Sequence, residues 1–217
     1  MWWELDDQRA PKILFHFGMT GSFVIEGQDI CKYKSFKVVC EHWPPKFTKL
    51  ELTFEDGCRL AFCDPRRLAR IRLCHGDPEK SDPICRLATD PLHNSLEISS
   101  TFKQINSKQC PIKSLLLDQE AIVCGIGNWV ADEVLYQAGI HPCTPSNLLS
   151  IANVQKLIEV ITIVLSTAVK LNADSENFPR NWMFHYRWEK KSDKESAPPQ
   201  MPNGNWNISD RIANAKY

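Results

Sequence analysis

Several features are missing from this sequence of 217 residues. There is no excess of one charge, because 26 Lys and Arg residues balance 26 Asp and Glu residues, so net charge alone does not indicate a nucleic-acid partner. The longest apolar runs, such as residues 160–165, are far shorter than the roughly 20 residues that span a membrane, and no signal sequence opens the chain. We therefore expect a soluble globular protein with no membrane partner.

The sequence also lacks paired cysteines. Its nine cysteines are an odd number, and no two of them form a Cys-x-x-Cys pair. A disulfide framework and a four-cysteine zinc site are both disfavoured, so we expect free, mostly buried thiols in a reducing compartment and no metal or other cofactor. His141 and Cys143 could share one metal ion, but no second pair lies nearby at zinc spacing.

Charge is unevenly placed along the chain. The stretch "DPRRLARIR" at 64–72 carries four arginines against one aspartate, and "RNWMFHYRWEKKSDK" at 180–194 is basic with interleaved aromatic residues. These two stretches leave room for a local basic surface that the net charge hides.

The hydrophobic pattern changes once along the chain. As far as about residue 74 it alternates, in "ILFHF", "SFVIE", "FKVV", "KLELTF" and "RLAFC", with glycine turns between several segments, which predicts an antiparallel sheet. Residues 76–98 are rich in Asp-Pro and polar residues and resemble a linker. Beyond them "PIKSLLLDQ", "NWVADEVLYQA" and "SIANVQKLIEVITIVLSTAVKL" predict helices, and the polar, proline-rich stretch beyond residue 174 predicts a poorly ordered tail.

The stretch "CGIGNWVADEVLYQAGIHP" at 124–142 predicts a helix with a bare start. Gly125 and Gly127 permit unusual backbone angles and close approach of another molecule, and Asn128 is a favourable N-cap. Unpaired N–H groups and the positive end of the helix dipole favour a bound phosphate, whereas a simple tight connection between helices would explain the glycines equally well. Residues with predicted roles in the helix itself are Val130, Val134 and Leu135 on the packed face and Gly139 at a left-handed C-cap.

The longer stretch "LLLDQEAIVCGIGNWVADEVLYQAGIHP" at 115–142 resembles the helix-two-turn-helix signature of the formamidopyrimidine-DNA glycosylase and endonuclease VIII family of base-excision repair enzymes. The resemblance implies that Asn128, with Gly125 and Gly127, binds the DNA backbone beside the lesion. It also implies that Lys113 in "PIKSLLLDQ" contacts a phosphate.

Two loops of the first half carry the same resemblance. "FHFGMTG" at 15–21 is similar to the family loop whose methionine fills the hole left by the flipped nucleotide, which implies that role for Met19 and a phosphate contact for His16. "DPRRLAR" at 64–70 is similar to the loop whose arginine faces the orphaned base, which implies that role for Arg66; Leu68 stands where the family has a wedging phenylalanine. Taken without the family, Met19 is a gap-filling core residue, Arg66 belongs to a solvated turn, and His16 is a surface histidine.

The resemblance places catalysis on an N-terminal Pro-Glu pair, whose proline amine attacks C1′ of the damaged nucleoside. No residue here matches that pair, because the sequence opens "MWWEL", where Trp3 matches a later strand. We therefore expect no catalytic residues of the family pattern, an incomplete sandwich and low stability of the first half. Lys12 and Lys32 are the alternative amines.

Residues 172–191 resemble the zincless branch of the family in plants and fungi, and no cysteine follows Cys143 to build a zinc finger. That branch has a Gly-Gly-Arg loop after an Asn-Gly hairpin. Here Asn-Gly stands at 203–204, and Arg211 is the only late arginine, in surroundings that do not match.

These observations predict an α+β fold: an incomplete N-terminal antiparallel β-sandwich at 1–75, the linker at 76–98, a helical helix-two-turn-helix domain at 99–178, and an irregular tail with a remnant hairpin at 179–217. The resemblance implies a DNA glycosylase with AP lyase activity, a hydrolase for oxidised purines (8-oxoguanine, formamidopyrimidine) and abasic sites in damaged double-stranded DNA. It implies a monomer in the nucleus, or otherwise in the cytoplasm or nucleoid. The alternatives are a non-catalytic damaged-DNA-binding module and an RNA-binding or ribosomal protein.

Overall fold

The computed structural model describes residues 1–5, 9–28 and 42–187, which belong to two compact units. The first runs from Met1 to Arg86, and the second begins at Leu87. The predicted strand "FKVV", Lys32, the Asn-Gly at 203–204 and Arg211 lie outside the described residues.

The described residues of the first unit form six short strands, and all of the pairings among these strands are antiparallel, as the alternating pattern predicts. The strands are β1 (Trp2–Trp3), β2 (Lys12–His16), β3 (Ser22–Ile25), β4 (Thr48–Thr53), β5 (Arg59–Cys63) and β6 (Arg70–Cys74). One sheet has the order β1-β2-β6 and the other the order β3-β5-β4. Two 3₁₀ helices, Pro78–Lys80 and Ile84–Arg86, follow β6.

An aromatic cluster joins the two sheets. The ring of Trp3 in β1 stacks on that of Phe23 in β3 with centroids 4.8 Å apart, and the rings of Phe15 and Phe62 are 5.6 Å apart. Phe15 and Phe62 are 3% and 1% exposed, so strand alternation has placed one face of each sheet in a shared core. Each such ring pair contributes about 0.5–1.5 kcal/mol beyond its buried area.

The second unit is helical, which confirms the change of period. Its helices are α1 (Ile98–Asn106), α2 (Ile112–Leu117), α3 (Asn128–Ala138) and α4 (Ile151–Lys170), with 3₁₀ helices at Ser146–Leu148, Ser175–Asn177 and Met183–Tyr186. The predicted packed face of α3 is confirmed, because Val130, Val134 and Leu135 are at most 5% exposed. Gly139 ends α3 at φ 71°, the predicted left-handed cap.

The 20-residue helix α4 is the longest element of this unit. Ser150 and Asn153 form a capping box at its start. An 18-residue window within α4 has mean hydropathy 1.4, so by length and composition this helix could span a membrane. The short apolar runs in the sequence did not indicate this. Val154, Leu157 and Ile161 are at most 1% exposed inside the helical unit, so core packing accounts for part of this composition. The window as a whole is 39% buried, and Ile163 and Val169 on the same helix are 57% and 58% exposed.

The prediction of a poorly ordered tail is wrong for residues 175–187. Phe178, Trp182 and Phe184 are 3%, 4% and 6% exposed and belong to the same core as α3 and α4. Trp129 of α3 stacks on Phe178 with ring centroids 5.6 Å apart. Burial of large aromatic side chains therefore fixes a segment whose sequence carries no helical or strand period.

Candidate nucleic-acid interface

Two loops of the β unit, residues 17–21 and 64–69, lie against each other. Gly18 has φ +59°, and a Cβ added there would lie 2.7 Å from the carbonyl carbon of Leu68. Only glycine fits both this backbone angle and this approach. The fold of the protein itself therefore requires glycine at position 18, the first residue of the "GMTG" loop.

Thr20 and Asp64 connect the same two loops by hydrogen bonds. The Thr20 hydroxyl donates to Asp64 Oδ1 over 2.7 Å and accepts from the Arg66 N–H over 3.3 Å, while the Ala69 N–H donates to Asp64 Oδ2 over 2.7 Å. Asp64 is 1% exposed and Thr20 5%. Burial raises the pKa of Asp64, but donation from Ala69, Thr20 and neighbouring backbone amides outweighs it and holds the pKa below its usual value.

The three predicted wedge residues project from these loops. Met19 is 63% exposed and Leu68 49%, and Arg66 is also exposed. The Arg66 Nη1 atom lies 3.4 Å from the Met19 sulfur, so the structure brings these two residues together. The alternative of Met19 as a core gap-filler is wrong, whereas the wedge roles of the three residues stay predictions. Two exposed apolar side chains beside an arginine are the combination that proteins use to enter a base stack.

His16 occupies the end of β2 on the face opposite the aromatic core. Its side chain is exposed, as alternation with Phe15 predicts, and its Nδ1 accepts the N–H of Gly18 over 3.3 Å. This bond fixes the ring next to the "GMTG" loop. A phosphate contact by His16 stays a prediction.

In the helical unit, α3 begins without a side-chain cap. Gly127 occupies the N-cap position with extended backbone (φ −102°, ψ −179°), and its carbonyl accepts the N–H of Ala131 over 2.9 Å. The prediction of Asn128 as the N-cap is therefore wrong: it is the first helical residue, and its side chain is exposed. Within the described part of the chain, no side-chain hydrogen bond caps the first turn of α3, as the sequence predicted for a phosphate site.

The side chain of Gln119 holds the turn before α3. Its amide nitrogen donates to the carbonyls of Leu117 and Ile126, both over 2.9 Å, and its Oε1 accepts the Gly125 N–H over 2.8 Å. Gly125 has φ +84° and an exposed backbone, while Ile126 is 1% exposed and anchors the turn. Sequence reasoning missed Gln119, because its partners are backbone groups whose positions depend on the folded turn.

Three charged side chains meet beside the start of α3. Lys113 Nζ lies 2.8 Å from Asp132 Oδ1, and Arg187 Nη1 donates to Asp132 Oδ2. Arg187 Nη1 also lies 3.5 Å from the carbonyl oxygen of Asn128. The structure therefore brings the predicted residues Lys113 and Asn128 to one place, and it adds Asp132 and Arg187, which the sequence did not single out.

Glu133, the residue after Asp132, is completely buried. It accepts hydrogen bonds from the backbone N–H groups of Met183 (3.2 Å) and Phe184 (2.9 Å) and from the Gln137 amide (2.8 Å). Burial raises the pKa of Glu133, and these three donors offset part of the rise. Its carboxylate docks the 3₁₀ helix Met183–Tyr186 onto α3.

The cysteine and histidine side chains of the described residues form no metal-binding cluster. Among the described residues there is no group of three His, Cys, Asp or Glu side chains placed to hold a metal ion. All seven described cysteines are free thiols, but only Cys63 and Cys74 are buried, so the expectation of mostly buried thiols is wrong for this part of the chain. Cys143 donates its backbone N–H to His141 Nδ1 over 3.2 Å, a local turn contact.

Both units match models of one protein family. Residues 1–71 match the formamidopyrimidine-DNA glycosylase N-terminal domain, and residues 87–179 match the formamidopyrimidine-DNA glycosylase H2TH domain. The matched ranges contain the two loops of the β unit and the bare start of α3.

Relatives carry the same family name. A formamidopyrimidine-DNA glycosylase from Arabidopsis thaliana is 42% identical over 195 residues, which are 89% of this chain and 49% of the relative. One from Acinetobacter baylyi is 32% identical over 172 residues, 79% of this chain and 58% of the relative. The chain thus spans about half the length of these relatives.

Solved structures show the same fold. The MutM (Fpg) protein from Thermus thermophilus superposes with a TM-score of 0.61 at 25% identity, covering 95% of this chain and 68% of that one. The Lactococcus lactis protein in complex with DNA containing Fapy-dG gives a TM-score of 0.64 at 23% identity, covering 78% of this chain and 58% of that one. Matches in both units, to sequence models, relatives and folds alike, place the chain in the formamidopyrimidine-DNA glycosylase family.

Proposed function

We propose that this chain acts in base-excision repair, as a DNA glycosylase of oxidised purines that also binds abasic sites in duplex DNA. The observation that carries the proposal is the uncapped start of α3, where Asn128 is exposed and where Lys113 pairs with Asp132 of the same helix α3. Free amide N–H groups, a helix dipole and a cation together bind the phosphates of a DNA backbone.

The β unit would supply the second part of recognition. Met19, Arg66 and Leu68 are exposed on loops that Thr20 and Asp64 tie together. We propose that Met19 and Leu68 fill the space of an extruded nucleotide and that Arg66 faces the unpaired base. Removing a nucleotide from the stack costs a few kcal/mol, which inserted apolar side chains can offset.

The relatives support this substrate. The Lactococcus lactis protein has been seen in complexes with DNA that contains Fapy-dG and with DNA that contains an abasic site. We propose that damaged double-stranded DNA is also the partner of this chain. The proposal further includes AP lyase activity, a monomeric state and, in view of the Arabidopsis relative, location in the nucleus. The family assignment does not favour an RNA-binding or ribosomal role.

Binding to duplex DNA tests the clamp. Fluorescence anisotropy with a duplex that carries an abasic-site analogue should show weaker binding by Asn128→Ala and by Lys113→Ala, each by about tenfold, since each removes one backbone contact. Lys103→Ala is the matched control, because it removes an exposed cation from α1 and leaves the proposed clamp residues in place. Unchanged binding by both clamp variants would refute the proposed function.

The proposed wedge role of Met19 is tested by the preference for abasic over intact duplex, and not by the affinity for one duplex. Met19→Ala should reduce the ratio of affinities for abasic over intact duplex, because the intact duplex offers no hole to fill. Exposed Leu148, on the 3₁₀ helix of the other unit, provides the control substitution Leu148→Ala. An unchanged ratio for Met19→Ala would remove the wedge from the proposal.

Chemistry is tested by borohydride trapping on duplexes that contain 8-oxoguanine or an abasic site. A covalent adduct with the 217-residue chain would show that one of its own amines is the nucleophile. Tight binding without an adduct would favour the alternative of damage recognition without excision.

A further inference from the structure

The ion-pair cluster beside α3 has an arrangement that electrostatics alone does not favour at a DNA surface. Asp132 places a carboxylate between Lys113 and Arg187, close to the backbone of Asn128. A carboxylate near bound phosphates repels them, so its presence lowers the local positive charge from two to one. Such a group weakens DNA binding unless it holds its cationic partners in useful positions.

The partial burial of the cluster supports a positioning role. The side chains of Lys113, Asp132 and Arg187 are 13%, 15% and 23% exposed. Long cationic side chains on an open surface sample many rotamers, and ordering them costs conformational entropy at the moment of binding. A shared carboxylate orders both cations in advance.

The backbone before Arg187 is fixed by separate contacts. Glu133 accepts the N–H groups of Met183 and Phe184, and Phe184 is 6% exposed in the core of the helical unit. Arg187 follows this docked 3₁₀ helix directly, so its guanidinium has a defined position and is not a chance partner from a loose tail.

We propose that Arg187 is a further phosphate-binding residue of the α3 site, and that Asp132 is the positioning residue that holds Arg187 and Lys113 for this purpose. The inference rests on the proposed function, because it deepens the α3 clamp and needs DNA as its ligand. Arginine is suited to the role, because one planar guanidinium can bind Asp132 and a phosphate oxygen through different N–H groups.

The sign of one substitution separates positioning from simple charge. Asp132→Asn removes a negative charge, so charge counting predicts tighter binding to the abasic-analogue duplex. Positioning predicts weaker binding, by about threefold or more, because both cations lose their common partner. Glu159→Gln, an exposed residue of α4 with the same change of charge, is the control. Binding by Asp132→Asn that is as tight as that of the unchanged protein, or tighter, would overturn the proposal.

Salt dependence tests Arg187. Arg187→Gln should bind about three- to tenfold more weakly, and the slope of log affinity against log salt should fall by about 1, as expected when one phosphate contact is lost. Arg187→Lys keeps the charge and should keep most of the slope. If Arg187 had only a structural role, Arg187→Gln would lower the melting temperature, but the protein that remains folded would show the same slope of log affinity against log salt.

The outcomes distinguish the two proposals. If Asn128→Ala and Lys113→Ala weaken binding while Arg187→Gln changes neither affinity nor slope, the inference fails and the proposed function stands. If Asn128→Ala, Lys113→Ala, Asp132→Asn and Arg187→Gln all leave binding unchanged, the proposed function fails and the inference fails with it. A melting curve for each variant confirms that folded protein was measured.

Discussion

The two units present their exposed groups in different ways. In the β unit the exposed groups are the side chains of Met19, Arg66 and Leu68, on loops joined by the buried Thr20–Asp64 hydrogen bond. In the helical unit the main exposed group is bare backbone at Gly125 and Gly127, in a turn that the amide of Gln119 holds.

The roles proposed for the two surfaces account for this difference. A wedge needs apolar bulk that reaches into a base stack, and a phosphate clamp needs N–H groups that no side chain covers. Both units keep their polar support inside: Asp64 and Glu133 are at most 1% exposed. Asp64 fixes the loops that carry Met19, Arg66 and Leu68, and Glu133 fixes the 3₁₀ helix that precedes Arg187.

The largest effect should come from Glu133→Ala in the helical unit. It leaves the amide N–H groups of Met183 and Phe184 without their acceptor in a buried site, which should lower the free energy of unfolding by about 3 kcal/mol. Urea denaturation measures this loss, with Glu159→Ala as the exposed control. A change below about 0.5 kcal/mol, the range of surface substitutions, would show that residues 183–187 dock without Glu133.

The next largest effect contrasts a glycine required by packing, Gly18, with a glycine that borders open space, Gly127. Gly18→Ala combines a positive φ with a Cβ 2.7 Å from Leu68 backbone, so we expect a loss of stability of about 2 kcal/mol. At Gly127 an added Cβ meets no atom within 4 Å and φ is negative, so Gly127→Ala should lose only the preference of an N-cap for glycine, about 1 kcal/mol or less. It should weaken duplex binding. Thermal melts and anisotropy on both variants check this contrast. A Gly127→Ala protein that binds normally would break it.

Thr20→Val tests the internal tie of the β unit. The substitution removes the hydroxyl that donates to Asp64 and accepts from Arg66, and should cost about 1–2 kcal/mol in urea denaturation. It should also lower the preference for abasic duplex, since both wedge loops depend on this hydroxyl. Thr53→Val, at an exposed position of β4, is the control and should change neither quantity.

The smallest effect concerns the start of α1, which has a side-chain cap, whereas the start of α3 has none. Glu97 caps α1, and donation from the N–H groups of Ser100 and Ser99 lowers the pKa of its carboxyl from 4.5 to about 2. A lowered folded-state pKa means that this stabilisation is present above about pH 4.5 and is lost as the pH falls towards 2. The melting temperatures of the unchanged protein and Glu97→Gln should therefore differ at pH 6 and converge in acid. A constant difference would contradict the capping role.

Prediction from sequence succeeded where the signal was local. The period of two in β2 identified Phe15 as core and His16 as exposed, and the helical period of residues 151–170 identified α4. It failed by one residue at the N-cap of α3, because Gly127 and Asn128 both suit a helix start and only the backbone angles decide between them.

The residues of the candidate interface also differ in whether a local signal in the sequence identified them. Asn128, Lys113, Met19, Arg66 and Leu68 came from short motifs, while Asp132 and Arg187 stand 55 positions apart and have no joint sequence signal. Residues 175–187 were misread because Phe178, Trp182 and Phe184 follow no regular period and are buried one by one against helices.

The sequence by itself determined the alternation of β-strands, the helical second half, the bare glycine turn before α3 and the family to which these belong. Its local signals suffice for this, because strand and helix periods and turn residues act between neighbours in the chain. Only the tertiary structure decided that Asp64 ties the wedge loops, that Glu133 docks the last described segment, and that Asp132 joins Lys113 to Arg187. Asp64 and Glu133 are buried and Asp132 is 15% exposed, so these carboxylates need donors, which other parts of the chain provide. No local pattern in the sequence reveals which donors these are.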